Sequence, residues 1–137
     1  MLSNRRQIQV EWGDCDPAGI VFNPHYFAWF DGSVHALLAT AGLSLRGMMQ
    51  DYGIHGLPLV DTRAKFYLPT EYGDQLSIET AITQINRCAF DITHRVFKDD
   101  ALATEGFETR MWTAFDPAAG RVRAKSIPED MIRLLSR

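Results

Sequence analysis

Between residues 6 and 12 the chain alternates, with Ile8, Val10 and Trp12 on one side and Gln7, Gln9 and Glu11 on the other. A period of two predicts a half-buried strand with those three apolar side chains turned inward. The Asp/Pro/Gly cluster at 13–19 ends it. Asn23-Pro24 then opens a helix, since Asn is a good N-cap and Pro at the first helical position gives up no needed hydrogen bond. Gly42 stops this helix after Ala41, giving a length of about 27 Å at ~1.5 Å per residue. Tyr26, Phe27, Phe30, Val34, Leu37, Leu38 and Ala41 form one stripe, and Ala28, Trp29, Ala36 and Ala39 carry apolar character further round. A helix apolar on most sides is buried by whatever surrounds it.

A short helix or irregular connection is expected over 44–53, and after it the period of two returns. Val60, Thr62, Ala64, Phe66 and Leu68 alternate with Asp61, Arg63, Lys65 and Tyr67. Leu76, Ile78, Thr80 and Ile82 alternate with Ser77, Glu79, Ala81 and Thr83, and Phe90, Ile92, His94 and Val96 with Asp91, Thr93 and Arg95. In the last run Phe107, Thr109, Met111, Thr113 and Phe115 are assigned inward, and Glu108, Arg110 and Trp112 outward. Asn86-Arg87 and Lys98-Asp99-Asp100 read as hairpin turns, Asp116-Pro117 as the start of a loop, and 127–135 as a final short helix. Strands in series with short polar connections pair antiparallel. The pattern therefore predicts an α+β domain over residues 1–137, a five-stranded antiparallel sheet wrapped around one long helix. Trp112 and Tyr67 on the outer face predict an oligomer to cover them.

A chain of 137 residues fits a single core, and its 46% apolar and 23% charged residues are ordinary for a globular domain. A net charge of −3 argues against nucleic-acid binding, which favours a basic surface. No segment approaches a membrane span, and the N-terminus lacks the apolar run of a signal peptide. Two cysteines, Cys15 and Cys88, make neither a disulfide framework nor a zinc site by themselves. A reducing, cytoplasmic setting is the expectation.

There is no G-x-S-x-G elbow, H-E-x-x-H, P-loop or G-x-G-x-x-G. His25, His35, His55 and His94 have no metal-ligand spacing, so neither metal nor cofactor is expected, and His35 and His94 read as hydrogen-bonded core or interface histidines. Acidic neighbours make Cys15 a poor nucleophile, and Cys88 reads as inert. Asp14 and Asp16 precede the Asn23 helix start; as Asp-Pro-x-Gly they make an ordinary turn. They also place a carboxylate beside free helix N–H groups that can hold a developing oxyanion. Such a carboxylate can attack a carbonyl or activate water to do so. A thioester suits the pair, because its thiolate leaves without a strong general acid. Asp31 lies inside the helix next to Phe30 and needs a partner there: a structural hydrogen bond, or a role in an acyl pocket.

The run Glu11-Trp12-Gly13-Asp14-Cys15-Asp16-Pro17-Ala18-Gly19-Ile20-Val21, with Asn23-Pro24-His25-Tyr26, Asp31, Gly56-Leu57-Pro58-Leu59-Val60 and Tyr72-Gly73-Asp74, resembles the hot-dog-fold thioesterases of the 4-hydroxybenzoyl-CoA type. The resemblance implies hydrolysis of an aromatic acyl-CoA, with Asp16 as nucleophile or general base and the Asn23 backbone N–H as oxyanion donor. It places Gly19 and Asp31 at the substrate, and draws CoA toward Arg87, with Arg123 and Lys125 (and Arg121 beside them) completing a phosphate patch. A homodimer paired into a homotetramer is implied as well. Two departures bear on the acyl group: 43–47 lacks the tryptophan of the 4-hydroxybenzoyl enzyme, and the hairpin at Asn86-Arg87-Cys88 keeps one charge. A short-chain aliphatic thioesterase of the Tol–Pal-associated type is the alternative on the same site. A non-catalytic acyl-CoA-binding module has no need of Asp16, and a hydratase would need a His/Asp pair that the sequence does not reveal.

Overall fold

The computed structural model of the protein describes residues 1–137. Its elements are β1 (Ser3–Gln9), α1 (Pro24–Thr40), α2 (Leu45–Tyr52), β2 (Leu59–Phe66), β3 (Gln75–Ile85), β4 (Ala89–Lys98), β5 (Ala101–Met111), β6 (Thr113–Asp116), β7 (Arg121–Ala124) and α3 (Glu129–Leu135). β1–β5 form one antiparallel sheet in the order β1-β3-β4-β5-β2, and β6 and β7 form a separate hairpin where the sequence pattern suggests a loop.

Helix α1 starts at Pro24 and ends before Gly42, whose φ of 75° only glycine adopts freely. It touches every strand of the sheet. Arg6 of β1 donates to Ser33 Oγ (2.8 Å) and to the Trp29 carbonyl (2.7 Å). Leu76 and Ile78 of β3 and Val96 of β4 enclose Tyr26 and Phe30. Phe66 of β2 meets Tyr26 edge-on at 5.2 Å. Further along, Val34, Leu37 and Leu38 pack with Met48 of α2, Met131 and Leu135 of α3, and Phe90 and Ile92 of β4. Phe27, expected in the buried stripe, lies on the exposed side of α1.

The inward sets of β3 and β4 are buried as the alternation predicts, but β5 is inverted. Thr104, Gly106, Glu108, Arg110 and Trp112 face the core, while Phe107 lies on the outer face beneath the Arg63 guanidinium at 4.8 Å. Two constraints outweigh the apolar pattern. Phe30 passes so close to Gly106 that a Cβ there would lie 2.5 Å from the ring. And the inward charges, Glu108 and Arg110, neutralise each other, while Glu108 also meets His94 across the β4–β5 pair. Gly106→Ala is therefore expected to cost about 1–3 kcal/mol through overpacking, read by chemical denaturation; wild-type stability would mean that Phe30 can move aside.

Trp112 is thus 3% exposed rather than outward, resting edge-on against Tyr52 at 5.6 Å. Trp12, expected inward, is 77% exposed, because β1 ends at Gln9 and Trp12–Asp14 form a single 3₁₀ turn. The outer face is crossed by a rung of alternating charge, Arg5–Glu79–Arg95–Glu105–Lys65, one residue from each strand. Such a row is compatible with water, so the outer-face Trp112 argument for an oligomer does not stand. β1 and β2 are the two edge strands of the sheet, and at the start of β2 Leu59 and Val60 are exposed.

Candidate active site

The segment after β1 folds into a tight loop. Asp16 N–H donates to the Ile20 carbonyl (3.0 Å), and Gly19 N–H donates back to the Asp16 carbonyl (2.9 Å). Gly19 has φ 84°, a conformation that favours glycine. Cys15 and Val21 close the loop by a β-bridge, and Val21 N–H donates to Thr70 O (2.8 Å), which ties the loop to the chain leaving β2.

The two acids of this loop differ in what they already hold. Asp14 accepts from Glu11 N–H (2.8 Å) through Oδ2 and lies 3.3 Å from His25 Nδ1 through Oδ1. Asp16 accepts only from Ala18 N–H (2.8 Å), through Oδ1, so Oδ2 is free. Asn23, at the start of α1, makes no side-chain cap, and its N–H donates to no group of the chain. Asp16 and Asn23 line one cleft of about 360 Å³ with Ile20, Val21, Tyr26, Phe66, Tyr67, Leu68, Pro69 and Thr70. The Tyr26 hydroxyl is hydrogen-bonded to Thr70 Oγ1, and with Asp16, Asn23 and Tyr67 these two residues give a mainly apolar wall its polar groups. Asp16 and Gly19 also border a second hollow of about 310 Å³ with Trp12, Cys15, Pro17 and Tyr72. Gly19 thus shapes the turn, its N–H already committed.

The other expected site residues lie elsewhere. Asp31 is on the exposed side of α1, 54% accessible at its side chain, and its partner is Arg110, whose Nη2 donates to Oδ1 at 2.9 Å. His35, next to it at 3.6 Å, is exposed and not a core histidine. Arg87, Arg123 and Lys125 gather at the far end of the sheet, where Ile127 N–H donates to Arg87 O (2.8 Å) and Lys125 N–H to Trp112 O (2.9 Å). Arg123 is paired with Asp116 at 3.4 Å. The length of β3, Gln75 to Ile85, separates this end from Asp16 by roughly 33 Å at ~3.3 Å per residue. Cys15 and Cys88 are both free thiols, and Cys15 Sγ rests on the Glu11 carbonyl at 3.8 Å. No three His, Cys, Asp or Glu side chains come together in a metal-holding group.

One pairing escaped the sequence reading. His94 Nε2 meets the Glu108 carboxylate, and Arg110 Nη2 holds the other Glu108 oxygen at 2.8 Å. Burial alone would push the Glu108 carboxyl up; the His94 hydrogen bond and the Arg110 charge together outweigh it and hold the group below its ordinary range. His94 is wholly inaccessible and cannot touch a substrate, so this is not the His/carboxylate pair of a hydratase. A glycine inside a strand, Gly106, with an acid and a base two residues apart beyond it, was the available signal.

An antiparallel sheet wrapped around one helix, with a free carboxylate and a free helix-start N–H on one apolar cleft, defines a hot-dog-fold protein equipped for chemistry at a carbonyl. The chain belongs to the thioesterase-like superfamily, whose family model matches residues 10–135. It is 36% identical to the 4-hydroxybenzoyl-CoA thioesterase of a Pseudomonas species, over 95% of each chain. The solved structure of that enzyme superposes with a TM-score of 0.89 at 35% identity, covering 98% of this chain and 99% of the other. A 1,4-dihydroxy-2-naphthoyl-CoA hydrolase of Synechococcus elongatus is 31% identical, over 70% of this chain and 71% of its own. No helix is long and apolar enough to cross a membrane.

Proposed function

We propose that the protein hydrolyses aromatic acyl-CoA thioesters, 4-hydroxybenzoyl-CoA or a close analogue, to the acid and free CoA. The observation that carries this is the cleft in which Asp16 Oδ2 and the Asn23 N–H are both without partners. A thioester carbonyl oxygen placed on the Asn23 N–H gains a donor aligned with the helix dipole, strongest as negative charge develops. Asp16 then either attacks the carbonyl carbon, giving an acyl-carboxylate anhydride that water opens, or takes a proton from water that attacks. In both routes the C–S bond breaks and CoA leaves as thiolate, which takes up a proton. Both relatives named above carry aryl substrates with ring hydroxyls in their names, and the wall of Tyr26, Phe66 and Tyr67 suits a flat ring.

The chain acts as one domain in this reading, in the cytoplasm, in keeping with its two free thiols. It pairs as a homodimer across the open β2 edge and the exposed side of α1, where Phe27, Leu59 and Val60 lie uncovered. Asp31, on that same side, contacts the acyl group. Arg87, Arg123 and Lys125 sit too far from Asp16 to serve it within one chain; as a CoA-phosphate patch they act from a neighbouring copy in a homotetramer. A panel of CoA esters followed by thiol release tests the substrate class. Hydroxybenzoyl esters should turn over fastest; faster turnover of short aliphatic esters would replace this reading with an aliphatic thioesterase.

A further inference from the structure

Asp14, two residues before Asp16, has every polar group in use. Its N–H donates to the Glu11 carbonyl (3.0 Å), its own carbonyl accepts from Phe22 N–H (2.8 Å), and Oδ2 accepts from Glu11 N–H (2.8 Å). Oδ1 faces one partner, His25 Nδ1, at 3.3 Å. His25 belongs to the first turn of α1. Its backbone N–H donates to the Phe22 carbonyl (2.9 Å), and the Phe22 ring lies against the imidazole with centroids 6.3 Å apart. Nδ1 is a donor both in the neutral Nδ1–H tautomer and in the imidazolium, so the ring can meet Oδ1 in either form.

A half-exposed ion pair contributes little to stability. What distinguishes this one is its position. From Asp14 the chain runs through Cys15 to the Asp16 carboxylate. Across the loop, the Phe22 N–H that Asp14 accepts is followed directly by Asn23, whose N–H is free for a carbonyl oxygen. A shift of Asp14 therefore changes the separation of the two groups that must meet one thioester carbonyl. The Asn23 side chain makes no cap that could fix this separation. The His25 ring instead ties α1 to the loop, and the Asp14 side chain is only 18% accessible, so water competes weakly for Oδ1. His25 does not line the Asp16 cleft and does not touch a bound ester.

We infer that His25 is a positioning residue for the hydrolysis: by holding Asp14 Oδ1 it fixes the Asp16 carboxylate relative to the Asn23 N–H. The inference rests on the reading that Asp16 and Asn23 act together on the thioester carbonyl. It leaves the attack to Asp16 and gives the neighbouring acid, Asp14, and the helix histidine a joint task.

The test is steady-state thiol release from 4-hydroxybenzoyl-CoA by the full chain, with kcat and KM determined separately. His25→Leu keeps the bulk of the ring and removes the donor. It should lower kcat about tenfold, less than the hundredfold that a ~1 Å misplacement can cost, and leave KM unchanged, because the cleft wall is intact. His25→Asn should recover most of that loss, since its amide nitrogen is bonded to Cγ as Nδ1 is and donates from the same place. An amide at position 14 cannot accept from both Glu11 N–H and His25, so the double variant Asp14→Asn with His25→Leu should have a kcat no lower than Asp14→Asn alone. If His25→Leu does not fold, His25→Ala is read in the same way. A lower denaturation midpoint with kcat per folded molecule unchanged would make His25 merely structural and overturn the inference. Losses that multiply in the double variant, or His25→Asn as slow as His25→Leu, would overturn it too. If Asp16→Asn hydrolyses the ester as fast as the wild type, the reading of the site fails and the inference with it. If Asp16→Asn is inactive while His25→Leu keeps the wild-type kcat, the inference alone fails.

Discussion

Asp16→Asn is expected to leave the fold and ester binding in place and to lower kcat by several orders of magnitude, each tenfold loss being about 1.4 kcal/mol of barrier. The amide keeps an oxygen for the Ala18 N–H, so the loop hydrogen bond of 2.8 Å survives. It has neither the charge to attack a carbonyl nor the basicity to take a proton from water. Asp14→Asn makes the informative contrast. Both Asp14 oxygens face existing partners, Glu11 N–H and His25, so its loss should loosen the loop and reduce the rate far less. A reversal of the two effects, measured as steady-state thiol release, would move the assignment to Asp14.

Glu108→Ala should be the most damaging substitution for stability. It leaves Arg110 and His94 facing each other in the core without the carboxylate between them, and removing one member of a buried charged set typically costs about 3–5 kcal/mol. The same residue predicts a pH dependence. With its folded-state carboxyl held below the ordinary 4.5, Glu108 contributes stability above that value. The contribution is lost as pH falls below it and the carboxyl protonates. Denaturation midpoints taken from neutral pH down to acid should therefore fall more steeply in the wild type than in the variant. Parallel curves would mean that the His94–Glu108–Arg110 set is not coupled to folding.

How far the sequence discloses this molecule depends on whether a residue's fate is decided locally. Helix α1 is legible because its start and stop lie in its own chemistry, Pro24 and Gly42, although Asn23 makes no side-chain cap. β3 and β4 are legible because their inward side chains are mostly apolar. β5 is not, since Glu108 and Arg110 are tolerated inside only by virtue of His94 on another strand and Asp31 on the helix, and no window of one strand contains those partners. Trp12 shows the same limit on a smaller scale: the alternation runs through it, but the chain leaves the sheet three residues earlier. In the site, the Asp16 loop and the Asn23 helix start come together as expected, because they adjoin in sequence. Asp31 and the basic residues 87, 123 and 125 do not join them within one chain. Contacts that another copy would supply leave no trace in the spacing of a single chain.

The central claim is that the Asp16 carboxylate acts on the thioester carbonyl in this cleft. A rapid-quench single turnover tests it most directly, with 4-hydroxybenzoyl-CoA and excess enzyme, wild type and Asp16→Asn side by side. The wild type should convert the bound ester to acid and CoA, while the variant should hold it bound and intact over the same interval. Conversion by Asp16→Asn at the wild-type rate would contradict it.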